Sequence, residues 1–271
     1  MIRRLSYKIQ SPNHTTHIIN KKMAKQSSIL GIDVGASGIK GAVVDLKTGE
    51  LIGERIRIDM PQPSTPENAA NVINELVQQL NYKGLIGLGF PSVVKKGIVS
   101  TAANLDKSWI GCNVEDILHK ATGCPIIAVN DADAAGLAEV RFGNGKGVMG
   151  TVVLITIGTG LGSAVFTDGK LLRNTEFGHI LTKKGMIAEQ YASSSAQKRE
   201  DLSWKKWAKR FDEYLHQINL YLQPNLIILG GGSSKNFDEY KHRFTLDTPI
   251  MAAKLLNNAG IIGAALYAAE Q

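Results

Sequence analysis

Cysteine is scarce in this chain: only Cys112 and Cys124 occur among 271 residues. Two cysteines are too few for a disulfide framework or for a zinc cluster built from cysteines. The scarcity predicts a reducing compartment, the cytoplasm. We interpret both side chains as ordinary packing residues.

Long apolar runs are also missing. No stretch approaches a run of about 18 apolar residues, the length that a transmembrane helix needs, so we expect no membrane partner. Apolar residues make up 44% of the chain and charged residues 20%, which is ordinary for a globular protein. Because domains typically span about 100–200 residues, a chain of this length is expected to form two lobes.

Acidic residues are absent from positions 1–26, a stretch with six basic residues that accounts for most of the formal net charge of +7. The remaining chain has 25 basic and 24 acidic residues, so bulk charge says little about what the folded part binds. We interpret residues 1–26, which show no periodicity, as a basic disordered extension. Two explanations stay open: a transit-like presequence, or an upstream start chosen in place of Met23.

From Ser28 the sequence alternates short apolar segments with glycine-containing turns, SSILGIDVGASGIKGAVVDLKTGELIGERIRI, which predicts a three-stranded meander. A helix is expected next, with Thr65 as its N-cap and Pro66 at its first position. The segments GLIGLGFP and CPIIAVN predict buried strands. The segment DADAAGLAEVRFG predicts a helix that ends at Gly143.

The opening pattern recurs later in the chain as GTVVLITIGTGLGSAVFTDGKLLRN. A long amphipathic helix before Pro224, the strand LIILGGG and a final helix from Gly260 follow it. Duplicated meanders followed by helices predict an α/β fold of two similar lobes around a cleft. We place the first lobe at 27–130 and the second at 131–271, and the last helix, about 260–271, is a candidate for return to the first lobe.

Two glycine-rich bends, DVGASG and GTGLG, join strands at corresponding places in the two meanders. Glycine lets consecutive backbone amides point at phosphate oxygens, and neither bend matches the Walker pattern. An ordinary hairpin turn explains either bend alone, but two at matched positions favour phosphate binding. Asp33, just before the first bend, is a candidate magnesium ligand, with turn capping as its alternative role.

Asp131 follows directly on a predicted buried strand, where the next helix begins. Ligands of open α/β folds bind at the carboxyl edge of the sheet, so this carboxylate is expected to project into the cleft. It would accept a proton from an alcohol during phosphoryl transfer, for which an ordinary carboxylate pKa suffices. Helix capping is the alternative, and we expect Asp133 to stabilise the helix N-terminus.

A polyhydroxylated sugar needs mixed hydrogen-bond donors and acceptors. Glu176, His179, Glu189 and Asn104 supply such groups. The set is not diagnostic by itself, because an isolated histidine is commonly a structural hydrogen-bonding residue.

Eight motifs in a fixed order resemble the ROK family of sugar kinases and repressors, and more closely its polyphosphate glucokinase branch. They are GIDVGASGIKG, GLGFPSVV, ANLDKSW, NDADAAGLAE, TIGTGLGSA, EFGH, REDLSWKKWA and LIILGGG. They span about residues 29–232, so the resemblance covers nearly the whole chain except the extension.

The resemblance implies an actin-like, ribonuclease H-like α/β fold whose two lobes close over glucose, with Asp131 as general base. It implies sugar contacts from Asn104, Asn130, Asp131, Glu176, His179 and Glu189. It implies donor contacts from Asp33, Gly35, Ala36, Ser37, Gly38, Lys40, Gly158, Thr159, Gly160, Gly162, Gly230, Gly231 and Gly232. Magnesium is the implied cofactor, polyphosphate or ATP the implied co-substrate, and a homodimer the implied assembly.

The chain departs from the family pattern at two places. Many members carry a cysteine-rich zinc motif where this sequence reads HILTKKGMIAEQYAS, so we expect no structural zinc. Ala36 replaces a usual glycine in the first bend, and its methyl group is expected to crowd a phosphate there.

The phosphoryl donor is the open question at this stage. Lys205, Lys206, Lys209 and Arg210 share the polar face of one predicted helix, with Lys183, Lys184, Lys198 and Arg199 nearby in the sequence. A polyanion gains from several exposed cations, so we predict a polyphosphate path there, with a solvated helix face as the alternative.

Three other functions are weighed against polyphosphate-dependent glucose phosphorylation. A strictly ATP-dependent kinase for glucose or another hexose, such as mannose, fits the same motifs. A sugar-responsive ROK repressor would need a DNA-binding module, for which residues 1–26 are too short, so no nucleic-acid partner is expected. A non-catalytic sugar-binding protein would not need Asp131 and both bends.

Overall fold

A computed structural model of the protein describes residues 26–103 and 105–271. The predictions for residues 1–25 and for Asn104 lie outside these described residues. Among the residues described, no helix has the length and apolar character needed to cross a membrane.

The first sheet contains the opening meander and two parallel strands. Its strands are β1 (Ser28–Gly35), β2 (Gly38–Asp45), β3 (Leu51–Asp59), β4 (Ile86–Phe90) and β7 (Ile126–Asn130). Their order is β3-β2-β1-β4-β7, with β1 antiparallel to β2 and parallel to β4. A small hairpin of β5 (Val94–Lys95) and β6 (Ile98–Val99) lies between β4 and β7 in the chain.

The second sheet repeats the arrangement of the first. Its strands are β8 (Thr151–Ile157), β9 (Leu161–Thr167), β10 (Lys170–Leu172), β11 (Leu226–Gly230) and β12 (Ile250–Ala252). Their order is β10-β9-β8-β11-β12, again with an antiparallel meander on one side and parallel strands on the other. The predicted duplication of the meander is therefore confirmed.

Eight α-helices occur among the described residues. They are α1 (Pro66–Gln79), α2 (Val114–Thr122), α3 (Asp131–Phe142), α4 (Ala188–Ala192), α5 (Ser194–Arg199), α6 (Trp204–Leu222), α7 (Phe237–Tyr240) and α8 (Ala259–Ala269). Helix α1 begins as predicted, because the hydroxyl of Thr65 accepts a hydrogen bond from the amide of Asn68 and Pro66 is the first helical residue. Helix α3 ends at Gly143 as predicted.

Helix α8 packs closely against the first sheet and against α3. A Cβ atom at Gly31 in β1 would overlap the carbonyl oxygen of Ile261 in α8. A Cβ at Gly263 in α8 would likewise overlap the carbonyl oxygen of Ala134 in α3. These glycines let backbone approach backbone, so the two helices that cross between the sheets hold the cleft residues at fixed places.

Candidate active site

One cleft of about 380 Å³ lies between the two sheets and receives residues from both. It opens where several strands end, as the carboxyl-edge rule predicts. Most residues predicted from the sequence to form the site line this cleft, namely Asp33, Ala36, Lys40, Asn130, Asp131, Gly158, Thr159, Gly160, Gly162, Glu176, His179, Glu189, Gly230, Gly231 and Gly232.

Asp131 occupies the junction between β7 and α3. Strand β7 ends at Asn130, and Asp131 is the first residue of the helix. Burial is the main cause that raises the pKa of Asp131 to about 7, and the nearby charge of Asp33 adds to the effect. The charges of Glu176 and Asp133 raise this pKa further, whereas the hydrogen bond from the amide of Ala132 lowers it, and the result lies above the ordinary carboxylate value that would suffice for the reaction.

Asn130 has its side chain engaged within the protein. Its Oδ1 accepts hydrogen bonds from the amides of Ala132 and Asp133, at 2.9 and 3.1 Å, and so caps helix α3. Its Nδ2 donates to the carbonyl oxygen of Ser92 at 3.2 Å. Asn130 lines the cleft but primarily fixes the turn that presents Asp131.

Glu176 and His179 lie on opposite ends of a short 3₁₀ turn. Oε2 of Glu176 is 3.2 Å from Nδ1 of His179, and both side chains are partly exposed to the cleft. Burial raises the pKa of Glu176, and His179 opposes that shift. The pair offers an acceptor and a donor side by side, the combination that a sugar hydroxyl requires.

Glu189 reaches the cleft from helix α4 and contacts the second glycine-rich bend. Its Oε2 accepts a hydrogen bond from the amide of Leu161 at 3.1 Å. A Cβ at Gly160 would overlap the same carboxylate oxygen, so glycine is required for this approach.

The second bend is a tight connection between β8 and β9. The amide of Gly158 donates to the carbonyl oxygen of Gly160 at 3.0 Å, and the Gly158 carbonyl accepts from the amide of Ser194. The amides of Thr159 and Gly160 donate to no acceptor within the described part of the chain. Two adjacent amides are thus left to bind an anion. The sequence GTGLG suggested that more of its amides would be available.

The first bend contributes less to the cleft than its sequence suggests. Of its four central residues, Ala36 lines the cleft, whereas Gly35, Ser37 and Gly38 do not. Gly35 and Gly38 pair with each other across the β1–β2 hairpin. Ala36 does not have a positive φ, so its methyl group introduces no backbone strain.

Asp33 and Lys40 face each other on β1 and β2. Nζ of Lys40 is 3.3 Å from Oδ2 of Asp33. A Cβ at Gly260 in α8 would contact the Asp33 carboxyl group, so the N-terminus of α8 also lies beside it. The three elements place one carboxylate and one ammonium group side by side in the cleft.

The residues of the cleft can supply only some of the ligands that a magnesium ion needs. Within the described ranges, no three histidine, cysteine or acidic side chains lie together as a metal site. Magnesium is commonly held by one or two carboxylates with the remaining ligands from water and substrate phosphates. Asp33 can supply that single carboxylate, in exchange for its contact with Lys40.

The basic residues of helix α6 lie outside the cleft and differ among themselves. Lys205, Lys206 and Lys209 are exposed. Arg210 instead donates to Glu200 at 2.6 Å, and its guanidinium lies 4.8 Å from the centre of the Tyr191 ring. The ion pair and the stacked ring give Arg210 a structural role that the three lysines lack.

Asp133 lies in the first turn of α3, as expected, and its carboxyl group is hydrogen-bonded to a distant segment. Its Oδ2 accepts a hydrogen bond from the amide of Asn174 at 2.7 Å. Burial is the main cause that raises the pKa of Asp133 to about 7.

Sequence reasoning missed several polar residues of the cleft, among them Ser92, Thr101, Thr156, Ser163, Thr175 and Asn257. Ser92 follows β4 by two residues, so the carboxyl-edge rule that found Asp131 would have found it. Asn257 gave no such signal, because it precedes a helix without following a predicted strand.

Known proteins are similar to this chain in sequence. The ROK family pattern matches residues 29–190. The chain is 49% identical over 237 residues to the polyphosphate glucokinase of Mycobacterium tuberculosis (strain CDC 1551 / Oshkosh), covering 87% of this chain and 89% of that protein. It is 32% identical over 186 residues to the glucokinase of Streptomyces coelicolor, covering 62% and 56%.

Solved structures give the same relationship at the level of the fold. The crystal structure of the inorganic polyphosphate/ATP-glucomannokinase from Arthrobacter sp. strain KM matches with a TM-score of 0.88 and 45% identity, covering 91% of this chain and 100% of that one. A ROK family glucokinase from Streptomyces griseus matches with a TM-score of 0.79 at 24% identity, covering 90% and 100%. The two lobes therefore have the actin-like ATPase fold, and the chain belongs to the ROK family.

Proposed function

We propose that this protein transfers the terminal phosphoryl group of inorganic polyphosphate to the 6-hydroxyl group of glucose. The observation that carries the proposal is the position of Asp131, which lies at a strand end in a cleft that also contains a glycine-rich bend. The names of the Mycobacterium and Arthrobacter relatives support the same reaction.

Asp131 is the proposed general base. The sugar hydroxyl gives its proton to this carboxylate as the new bond from the sugar oxygen to phosphorus forms. The bond from that phosphorus to the bridging oxygen breaks, and the polyphosphate leaves shortened by one unit. Because Asn130 caps helix α3, the carboxylate of Asp131 is held where a hydroxyl in the cleft can reach it.

The sugar is proposed to lie between the second-lobe polar groups and the first-lobe wall. Glu176, His179 and Glu189 line this end of the cleft. Each can pair with a hydroxyl that would otherwise be buried without a partner, a penalty that allows a site to discriminate between sugars. Asn104 is retained as a proposed ligand on the strength of the family motif alone.

The donor phosphates are proposed to lie against the second bend and Lys40. The amides of Thr159 and Gly160 and the ammonium of Lys40 offer positive charge where the transferring group becomes more negative. Asp33 is the residue that would hold magnesium, which supplies further positive charge to the donor oxygens when bound.

ATP is a second candidate donor, favoured by a specific feature of the cleft. Beyond the second bend the cleft continues along Gly230 to Gly232 and on to Leu256 and Asn257. This extension provides room beyond the phosphate-binding amides, and the Arthrobacter neighbour is named for both polyphosphate and ATP. That name also makes mannose the second sugar to test.

The exposed lysines of helix α6 are proposed to guide a long polyanion. Lys205, Lys206 and Lys209 are exposed along one helix, and such contacts weaken as salt rises. The homodimer and the cytoplasmic location stay predictions from the family and from the scarcity of cysteine.

The direct test is the formation of glucose 6-phosphate in the presence of magnesium, with long-chain polyphosphate or ATP as donor, each at low and high salt. Glucose-dependent product with polyphosphate, reduced by salt, is the expected result. Product with ATP alone would show that ATP, and not polyphosphate, is the donor. The proposed base and the proposed sugar would be unaffected. No product with either donor would refute the proposed reaction.

A further inference from the structure

A buried carboxylate near the cleft has no place in the proposed chemistry. Asp133 is the third residue of α3 and is 1% exposed. Its Oδ2 accepts the amide hydrogen of Asn174, whereas its Oδ1 has no hydrogen-bond partner among the described residues. Burial without full pairing is costly for a carboxylate, so a residue kept under such conditions calls for an explanation.

The partner of Asp133 connects the two lobes. Asn174 has a φ of 60°, the left-handed conformation that asparagine tolerates better than most residues. Its Nδ2 donates to the carbonyl oxygen of Val94 at 3.2 Å, and its Oδ1 accepts from the Val94 amide at 3.2 Å. The side chain thus pairs with both backbone groups of one residue in β5, as a neighbouring strand would.

Both ends of this connection lead directly into the cleft. On the first-lobe side, Ser92 and Thr101 flank the β5–β6 hairpin, bond to each other and line the cleft. On the second-lobe side, Glu176 follows Asn174 by two residues and faces the same space. Asp133 itself belongs to the helix that begins with Asp131.

We propose that Asp133 and Asn174 are positioning residues that clamp the two walls of the sugar end of the cleft together. Asp133 fixes the backbone of Asn174, and Asn174 fixes Val94 and its hairpin. The clamp brings Ser92 and Thr101 to one side of the sugar and Glu176 to the other. This inference rests on the proposed function, because it assigns glucose to that end of the cleft.

The decisive variant is Asn174→Gly. Glycine keeps the left-handed backbone and the amide that Asp133 binds, but it removes both hydrogen bonds to Val94. The matched control is Asn81→Gly, the same replacement at an exposed asparagine with a φ of 46° that does not line the cleft.

The measurement is calorimetric binding of glucose to each variant, together with KM for glucose and for polyphosphate. Asn174→Gly is expected to weaken glucose binding and to raise KM for glucose by about 10-fold, which corresponds to about 1.4 kcal/mol, because both hydrogen bonds between the walls of the cleft are lost. KM for polyphosphate should stay at its original value, because the donor end does not contact the clamp. A general loss of structure would instead alter both constants.

Variants of Asp133 test the other half of the clamp. Asp133→Asn retains an oxygen that can accept the Asn174 amide, so glucose affinity should be close to that of the unaltered protein. Asp133→Ala removes the acceptor and should reproduce the effect of Asn174→Gly. Asp133→Ala and Asn174→Gly act on the same clamp. The protein with both substitutions should therefore lose less glucose affinity than the sum of the two separate losses.

The outcomes separate the inference from the proposed function. If the unaltered protein binds glucose and Asn174→Gly binds it equally well, the clamp is refuted while the proposed reaction stands. If the unaltered protein does not bind glucose, the proposed sugar is wrong and the inference falls with it. The inference does not depend on the folding of Asp133→Ala, because Asn174→Gly and its Asn81→Gly control decide it.

Discussion

The carboxylate of Glu189 accepts a hydrogen bond from the backbone amide of Leu161, 3.1 Å away. This contact joins a residue proposed to bind the sugar to the bend proposed to bind the donor. The two proposed substrate sites are therefore linked at one point of the second lobe. The glycines of the bend are expected to respond differently to an added methyl group.

Gly158→Ala and Gly160→Ala form a matched pair for this bend. A Cβ at Gly160 would overlap Oε2 of Glu189, so Gly160→Ala should displace that carboxylate and raise KM for glucose as well as KM for the donor. A Cβ at Gly158 meets no atom within 4 Å and projects into open space. Gly158→Ala should therefore retain the melting temperature and KM for glucose and raise KM for the donor alone.

Steady-state kinetics with each substrate varied in turn measure these constants. If Gly158→Ala leaves KM for the donor unchanged, the phosphates do not approach this bend. If Gly160→Ala leaves KM for glucose unchanged, Glu189 does not bind the sugar.

The pH dependence of activity should report Asp131. The base works only when deprotonated, so kcat/KM for glucose should fall as the pH falls through about 7, the value to which burial raises the pKa of Asp131. The charge of Asp33 is the second cause of that raised pKa. Asp33→Asn should therefore lower the pKa of Asp131 and move the acid limb of the profile to lower pH.

The position of the acid limb is the readout, because Asp33→Asn is also expected to reduce the rate through loss of the magnesium ligand. Asp116→Asn, in helix α2 of the first lobe, is the control for removal of an acidic charge elsewhere and should leave the limb in place. An acid limb that stays at the same pH in Asp33→Asn would contradict the assignment of the limb to Asp131.

Charge reversal of the exposed lysines on helix α6 should weaken the binding of polyphosphate. Replacing Lys205, Lys206 and Lys209 together by glutamate is expected to raise KM for long-chain polyphosphate and to flatten its dependence on salt, since fewer cations then meet the polyanion. Activity with ATP should change little. A second triple variant, with glutamate at the exposed lysines Lys47, Lys83 and Lys120, changes the net charge by the same amount and is the control.

Arg210 is predicted to behave differently from its three neighbours. Its ion pair with Glu200 and its contact with Tyr191 mean that Arg210→Ala should lower the melting temperature.

If the lysine variants of α6 leave the salt dependence of activity with polyphosphate unchanged, the three lysines form only a solvated helix face.

Local sequence patterns predicted the parts of this fold that depend on local chemistry. Alternating apolar segments with glycine turns marked both meanders, and Thr65, Pro66 and Gly143 marked helix ends, because caps and turns demand particular residue types. Asp131 could be found because it follows a buried strand, and the sheet edge then dictates its place.

Contacts between distant segments could not be predicted from local sequence patterns. Asp133 and Asn174 are 41 positions apart, and no local pattern pairs them. The same limit explains why the hydrogen bond between Asp133 and Asn174 and the raised pKa of Asp131 were not foreseen. That pKa depends on which acids the fold brings together and on how much water it removes, and neither is encoded within a short window.

The most direct test of the account is the turnover of Asp131→Asn at saturating glucose and donor, compared with that of the unaltered protein. Asparagine keeps the size and the hydrogen-bonding oxygen but cannot accept the proton. Glucose binding should persist while kcat falls by about 10²–10⁴, the usual contribution of a general base. Full turnover by Asp131→Asn would contradict the central claim that this carboxylate receives the proton of the sugar hydroxyl.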